Sequence, residues 1–207
     1  MHSACVFTHC PAICGTLCAI AWSSMFAVAS AAAEPPKVDY LFPPGAQRGQ
    51  SVEVTAGGKL DAWPVQVWID RPGLTVTPGE EKGKLTVSVA EDSLPGTYWI
   101  RLYTAEGASA AQPFFVGTLP EIEEAEPNNA PSEPQKLSST ATVVNGRLGG
   151  TGDVDTFAIE LGAGETLVAA LDAYETLGSP VDAVLQVLSP EGFVYLLNDD
   201  ERGLDPL

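Results

Sequence analysis

Two groups of oxygen-bearing side chains stand out in the second half of the chain. Glu124, Glu126, Asn128 and Asn129 form one group, and Asp153 and Asp155 form the other. Calcium takes six to eight oxygen ligands from carboxylates, amide oxygens and backbone carbonyls. In an extended segment Glu124, Glu126 and Asn128 point to one side, and so do Asp153 and Asp155, because strand side chains alternate. If the two rows meet, four carboxylates share one cage. Like charges at that range repel, and a Ca²⁺ ion would offset the repulsion. The plain alternative is a solvated acidic linker beside a surface loop. No EF-hand is written here, since its Asp-x-Asp-x-Asp-Gly loop and closing Glu are missing.

Other chemistry is thinly represented. Both His (His2, His9) and all four Cys (Cys5, Cys10, Cys14, Cys18) lie in the first 33 residues. If that segment is removed, neither a Ser-His nor a Cys-His pair can be assembled. Asn198, Asp199 and Asp200 make a second acidic cluster. Neighbouring strand residues face opposite ways, so Asp199 and Asp200 are a poor pair for glycoside hydrolysis. Gly149-Gly-Thr-Gly152 leads into a strand pattern, which reads as a turn and not a phosphate cradle. The expectation is a non-catalytic chain.

The elements that must position these residues read as β throughout. The chain has 207 residues and a formal net charge of −17. That charge argues against nucleic acid as a partner and favours cations. Residues 1–33 contain no Lys, Arg, Asp or Glu and end in Ala31-Ala-Ala33, the pattern of a secretory signal with a small-residue cleavage site. Pro11, Gly15, Ser23 and Ser24 interrupt the run of about 20 apolar residues that a membrane span wants. The expected address is secreted, at the cell surface or in the periplasm, with no membrane attachment after cleavage. A secreted domain without disulfides relies on its core or on a metal.

Charge then divides the rest. Residues 34–118 carry 10 acidic and 7 basic residues; residues 119–207 carry 17 and 3. Gly117-Thr-Leu-Pro120 marks the boundary. In the first part Val52 and Val54, then Val65, Val67 and Ile69, then Leu85, Val87 and Val89, then Tyr98, Ile100 and Leu102 alternate with polar residues. Pro43-Pro-Gly45, Gly57-Gly58, Arg71-Pro-Gly73, Pro95-Gly96 and Glu106-Gly107 separate the runs. This predicts an all-β sandwich. Trp68, Trp99 and Tyr103 fall on the polar register. Packing under loops or against the second part is the favoured role for them, with an aromatic platform for sugar or peptide as the rival. In the second part Phe157, Ile159 and Leu161, then Leu167, Ala169 and Leu171, then Ala183, Leu185 and Val187 alternate, and Phe193–Leu197 adds a further strand.

Several motifs occur in order: Glu124-Ala-Glu-Pro-Asn-Asn129, Val144-Asn-Gly-Arg-Leu148, Gly152-Asp-Val-Asp-Thr-Phe157, Leu161-Gly-Ala-Gly-Glu-Thr-Leu167, Leu177-Gly-Ser-Pro-Val-Asp-Ala183, Leu188-Ser-Pro-Glu-Gly192 and Asn198-Asp-Asp200. Over roughly residues 121–207 they resemble the bacterial pre-peptidase C-terminal domain. The resemblance implies a jelly-roll-type β-sandwich in exported proteins. Related collagen-binding modules hold calcium through linker acids and an early Asp pair, which implies Glu124, Glu126, Asn128, Asn129, Asp153 and Asp155. The family normally continues past the Asn-Asp-Asp turn with further strands, so the resemblance implies an incomplete domain. The first part, from Val38-Asp-Tyr-Leu-Phe-Pro-Pro-Gly45 to Phe114-Phe-Val116, resembles immunoglobulin-like domains of the IPT type, and the pairing looks like exported planctomycete-like proteins.

The combined expectation is an all-β chain: an Ig-like β-sandwich (34–118), then a partial jelly-roll-type sandwich (119–207). Its role would be a secreted accessory or binding module stabilised by calcium, with an extracellular protein or polysaccharide as partner. The alternative is the non-catalytic N-terminal part of a secreted peptidase or other hydrolase.

Overall fold

The structure is a computed structural model that describes residues 34–199; the signal-like segment and the end of the acidic cluster at Asp200 lie outside them. The fold is all-β. Nine strands come from the first part: β1 Lys37–Phe42, β2 Gly45–Gln47, β3 Ser51–Lys59, β4 Gln66–Ile69, β5 Leu74–Pro78, β6 Lys84–Val89, β7 Gly96–Thr104, β8 Gly107–Ala108 and β9 Gln112–Gly117. One sheet runs β1-β3-β6-β5 and the other β2-β9-β7-β4, with β8 added beside β7. All the pairings are antiparallel except β2 with β9.

The alternation in the sequence is the alternation in the fold. β6 buries Leu85, Val87 and Val89 and exposes Lys84, Thr86 and Ser88. β7 buries Tyr98, Ile100 and Leu102, and β9 buries Phe114 and Val116. With Val38, Leu41, Val54, Leu60 and Val65 these side chains form one apolar core between the sheets. Fully burying a side chain of this size is worth about 1.5–3 kcal/mol. The Tyr98 hydroxyl donates to the Leu94 carbonyl at 3.0 Å, so this buried tyrosine leaves no polar atom unmatched. Reaching back along the chain this way is a recurrent device of immunoglobulin-type sandwiches. The half-buried Trp63 likewise donates its Nε1–H to the Gly79 carbonyl at 2.8 Å.

One expected turn is something else. Gly57-Gly58 lies inside β3, where Gly57 pairs with Tyr40 of β1. A Cβ on Gly57 would fall 2.1 Å from the Tyr40 ring. Glycine is required there because the Tyr40 ring lies against the backbone.

Among the described residues the second part has six short strands: β10 Glu121–Glu123, β11 Gln135–Lys136, β12 Val143–Asn145, β13 Phe157–Ala158, β14 Leu185–Leu188 and β15 Val194–Asn198. They pair as three ladders, β10 with β12 and β11 with β13 in parallel, and β14 with β15 antiparallel. One short helix, α1, covers Tyr174–Leu177. Among the described residues the expected strand at Leu167–Leu171 is not assigned, and these residues are mostly exposed. Alternating polarity sorts faces, but a strand also needs a neighbour for its backbone groups. Among the described residues no helix is long and apolar enough to cross a membrane.

Candidate metal centre

The two parallel ladders bring the two acidic groups together. β10 and β12 pair from Glu121 with Val143 to Glu123 with Asn145, and the ladder continues as Glu124 N donates to the Asn145 carbonyl at 3.0 Å. Four residues further on, the Asn128 carbonyl accepts from Thr156 N at 3.0 Å, and Gln135 N donates to the Thr156 carbonyl at 2.9 Å. The linker is thus stitched to the segment before the glycine-rich turn and to the segment after it. Asn145 adds a side-chain tie, donating from Nδ2 to Glu121 Oε2 at 2.9 Å. Gln135 closes the other flank: its Oε1 accepts from Ala125 N at 2.7 Å.

Between these ties sit the acids. Carboxylate oxygens of Glu126, Asp153 and Asp155 all lie within 4.8 Å of one another. Glu124 converges with Asp155 beside Gly146. A Cβ on Gly146 would fall 2.7 Å from Glu124 Oε2 and 3.3 Å from Asp155 Oδ2. Glu124 Oε1 accepts from Arg147 N, and Asp153 Oδ2 accepts from Gly149 N. Both carboxylates are therefore held by backbone of the turn that separates the two groups.

Asn128 and Asn129 differ in role. Asn129 Oδ1 accepts from Val154 N at 3.3 Å, which fixes the loop between the two aspartates. Asn128 is fully buried, and neither its Oδ1 nor its Nδ2 has a hydrogen-bond partner. Glu124 Oε2 and Asp155 Oδ1 are also buried and unpartnered. Leaving such groups without a partner costs about 1–3 kcal/mol each, and more where the group is charged. Three orphaned oxygens on three of the six nominated residues are what a hard cation would satisfy.

The electrostatics agree with this. Burial pushes Glu124 up to about 7; the Arg147 N–H works against that shift, while the charges of Asp155 and Glu126 add to it. Burial also raises Asp155, the neighbouring Glu124 opposes this, and the charges of Asp153 and Glu126 reinforce it. Burial raises Glu121 too, partly offset by the Asn145 hydrogen bond.

All six nominated residues therefore lie in one stretch of connected backbone, five of them presenting carboxylate or unpartnered amide groups and Asn129 bracing the loop. Several supporting residues were not foreseen. Gly146 gives the carboxylates room, and Arg147 joins the turn to the first sandwich, its guanidinium 4.9 Å from the Tyr40 ring centroid and 4.5 Å from that of Phe42. An Asn-Gly pair after a short apolar strand is a turn signal, and could have directed attention to Asn145 and Gly146. Nothing in the sequence marks Gln135.

No protein-family model matches the chain, and no curated protein matches it. Among solved structures, the gamma-CGTase of alkalophilic Bacillus clarkii shares a local likeness. The TM-score is 0.32 and the identity 16%, over 48% of this chain and 15% of that one. A likeness of that size carries nothing about activity.

Proposed function

We propose that this chain is a secreted, non-catalytic accessory module of a larger exported protein, with Ca²⁺ clipping its acidic linker to the segment that follows the glycine-rich turn. The observation that carries the reading is the conjunction of three close carboxylates, Glu126, Asp153 and Asp155, with the buried, unpartnered amide of Asn128. Acidic surface groups are common, but a solvated linker has no reason to bury an asparagine with both amide atoms unmatched. The donor set is all oxygen, which suits Ca²⁺ or Mg²⁺, and its mixture of carboxylates and amides from flexible segments suits the larger ion better. Glu124, Glu126, Asp153 and Asp155 supply charge, Asn128 supplies a neutral oxygen, and Asn129 holds the loop. The resident role is structural: the ion removes repulsion among the carboxylates and ties two stretches of chain that otherwise share only short ladders.

The test is thermal melting during a calcium titration. The wild-type chain is expected to melt higher at millimolar Ca²⁺ than in chelator, by RT ln(1 + [L]/Kd) in free energy. The Asp153→Ala/Asp155→Ala variant is expected to lose that gain. Equal melting of wild type and variant at every Ca²⁺ concentration would count against the clip.

A further inference from the structure

We propose that the outer face of β4 and β7 binds an uncharged, extended polysaccharide, with the indole rings of Trp68 and Trp99 as its stacking platform. The proposal rests on the reading of the chain as an exported binding module, but not on the metal ion.

Trp68 and Trp99 are partly exposed, where the expectation is packing under loops or against the second part. Trp68 is 47% and Trp99 43% exposed, although the strands carrying them are otherwise well ordered by burial. Their register is fixed from the other face: Tyr98, Ile100 and Leu102 are each about 1% exposed, so β7 cannot turn Trp99 inward without turning three core residues out. On the outer face Trp68 stands opposite Arg101. The next outward pair is Asp70 with Trp99, bound through Asp70 N to the Trp99 carbonyl at 3.1 Å and Trp99 N to Asp70 Oδ1 at 2.9 Å. The two indoles are thus diagonal neighbours, a relation that places their Cα atoms about 7–8 Å apart. Gln66 and Tyr103 form the adjoining pair. β4 is the edge of its sheet, so the platform is open on the Trp68 side.

The polar groups are arranged for a ligand with hydroxyls around a flat body. Among the described residues the indole N–H groups of Trp68 and Trp99 meet no protein acceptor, whereas that of Trp63 does. The Arg101 guanidinium is anchored by one N–H, from Nη1 to the Ser109 carbonyl at 2.9 Å, which leaves its other N–H groups as donors. Asp70 offers a carboxylate. A pyranose ring presents C–H bonds on its faces, which sit on the negative face of an aromatic ring, and hydroxyls at its rim.

Charge selects the class of polymer. Asp70 already lies 3.8 Å from Arg71 Nε, and Arg101 adds one positive charge, so the patch carries little net charge on a chain of net charge −17. A polyanion would be repelled by the rest of the molecule, and so would a second copy of this chain. A neutral glycan suffers neither penalty. The sheet face is an open surface and not an enclosing cavity, so an extended, equatorially linked chain can lie across it, while a coiled glucan would lift away.

The experiment is affinity electrophoresis of the full chain in native gels containing hydroxyethylcellulose, xylan or galactomannan, alongside depletion by microcrystalline cellulose. The wild-type chain is expected to be retarded or depleted by at least one of them, in chelator as well as in Ca²⁺. Trp68→Ala and Trp99→Ala are each expected to weaken binding about tenfold, the loss of one stacking contact, with unchanged melting. Trp68→Phe and Trp99→Phe, which keep an aromatic face, are expected to retain part of the affinity and serve as the comparison if an alanine variant melts lower. No retention of folded wild-type protein by any of the polymers overturns the proposal, and so does retention that survives both alanine substitutions. Because the readout is made with and without Ca²⁺, a failed clip leaves this result standing, and a failed platform leaves the clip untouched.

Discussion

The Arg147 guanidinium lies 4.5 Å from the ring centroid of Phe42, and in the same residue the backbone N–H is donated to Glu124. One residue thus touches the first sandwich with its side chain and the candidate metal centre with its main chain. Tyr40 flanks the guanidinium at 4.9 Å. Cation–π contacts at partly exposed sites are worth about 0.5–1 kcal/mol. Arg147→Ala is expected to destabilise the chain by about 1 kcal/mol and to speed proteolysis of the 117–120 connection. Arg147→Lys, which keeps charge but loses the planar stacking surface, is expected to recover only part of this. Matched melting temperatures and cleavage rates in wild type and Arg147→Ala would show that the contact holds nothing.

The pH dependence of the metal-free chain has a definite sign. Glu124 is pushed up to about 7 from an ordinary 4.5, chiefly by burial, and Asp155 is shifted the same way. Between those two values the folded state binds more protons than the unfolded state, so stability falls as pH rises. In chelator the chain is expected to melt higher near pH 5 than near pH 8 (about three units apart, spanning the shifted group). With Ca²⁺ the trend reverses, because the ligands must shed protons to bind it. Glu124→Gln is expected to flatten the metal-free slope. A metal-free melting temperature that rises steadily toward pH 8 would contradict this.

Gly146 tests the cage by volume alone. Its missing Cβ is what keeps Glu124 Oε2 and Asp155 Oδ2 unobstructed, at 2.7 and 3.3 Å from where that atom would sit. Gly146→Ala is expected to weaken Ca²⁺ binding at least tenfold (about 1.4 kcal/mol) while leaving the first sandwich intact. Calorimetric titration with Ca²⁺ reads the first effect, and near-ultraviolet dichroism reads the second. Wild-type affinity in Gly146→Ala would mean the carboxylates do not converge there.

Two phenylalanines separate the core from the surface. Phe114 in β9 is fully buried, and Phe193, just before β15, is 71% exposed. Phe114→Ala is expected to cost about 3–5 kcal/mol, the range for emptying a packed aromatic site. Phe193→Ala is expected to stay within about 0.5 kcal/mol, as surface substitutions do. Denaturant midpoints at constant slope measure both.

How much of this was legible in the residues differs between the two halves. Leu85, Val87 and Val89 alternate with Lys84, Thr86 and Ser88, and the fold buries the first set and exposes the second. Such a pattern can be read because both faces of a sandwich strand have fixed environments. Leu167, Ala169 and Leu171 alternate just as well, yet among the described residues no strand is assigned there, because periodicity sorts faces and does not report where a ladder lies. The convergence of Glu126 with Asp153 and Asp155 was foreseeable from alternation on either side of one short strand. Arg147 over Phe42 was not, since it depends on where the linker crosses β1. The alternation puts Trp68 and Trp99 on the outer register, but their exposure cannot be read from it, because sequence does not show whether a loop covers a sheet face.

The central claim is that the acids on both sides of β12 share one divalent cation. Isothermal titration of the chelator-treated full chain with Ca²⁺ addresses it directly. The account predicts one saturable site in the wild type, abolished in Asp153→Ala/Asp155→Ala and weakened in Asn128→Ala. Heats indistinguishable from dilution in the wild type, or an unchanged isotherm in the double variant, would contradict it.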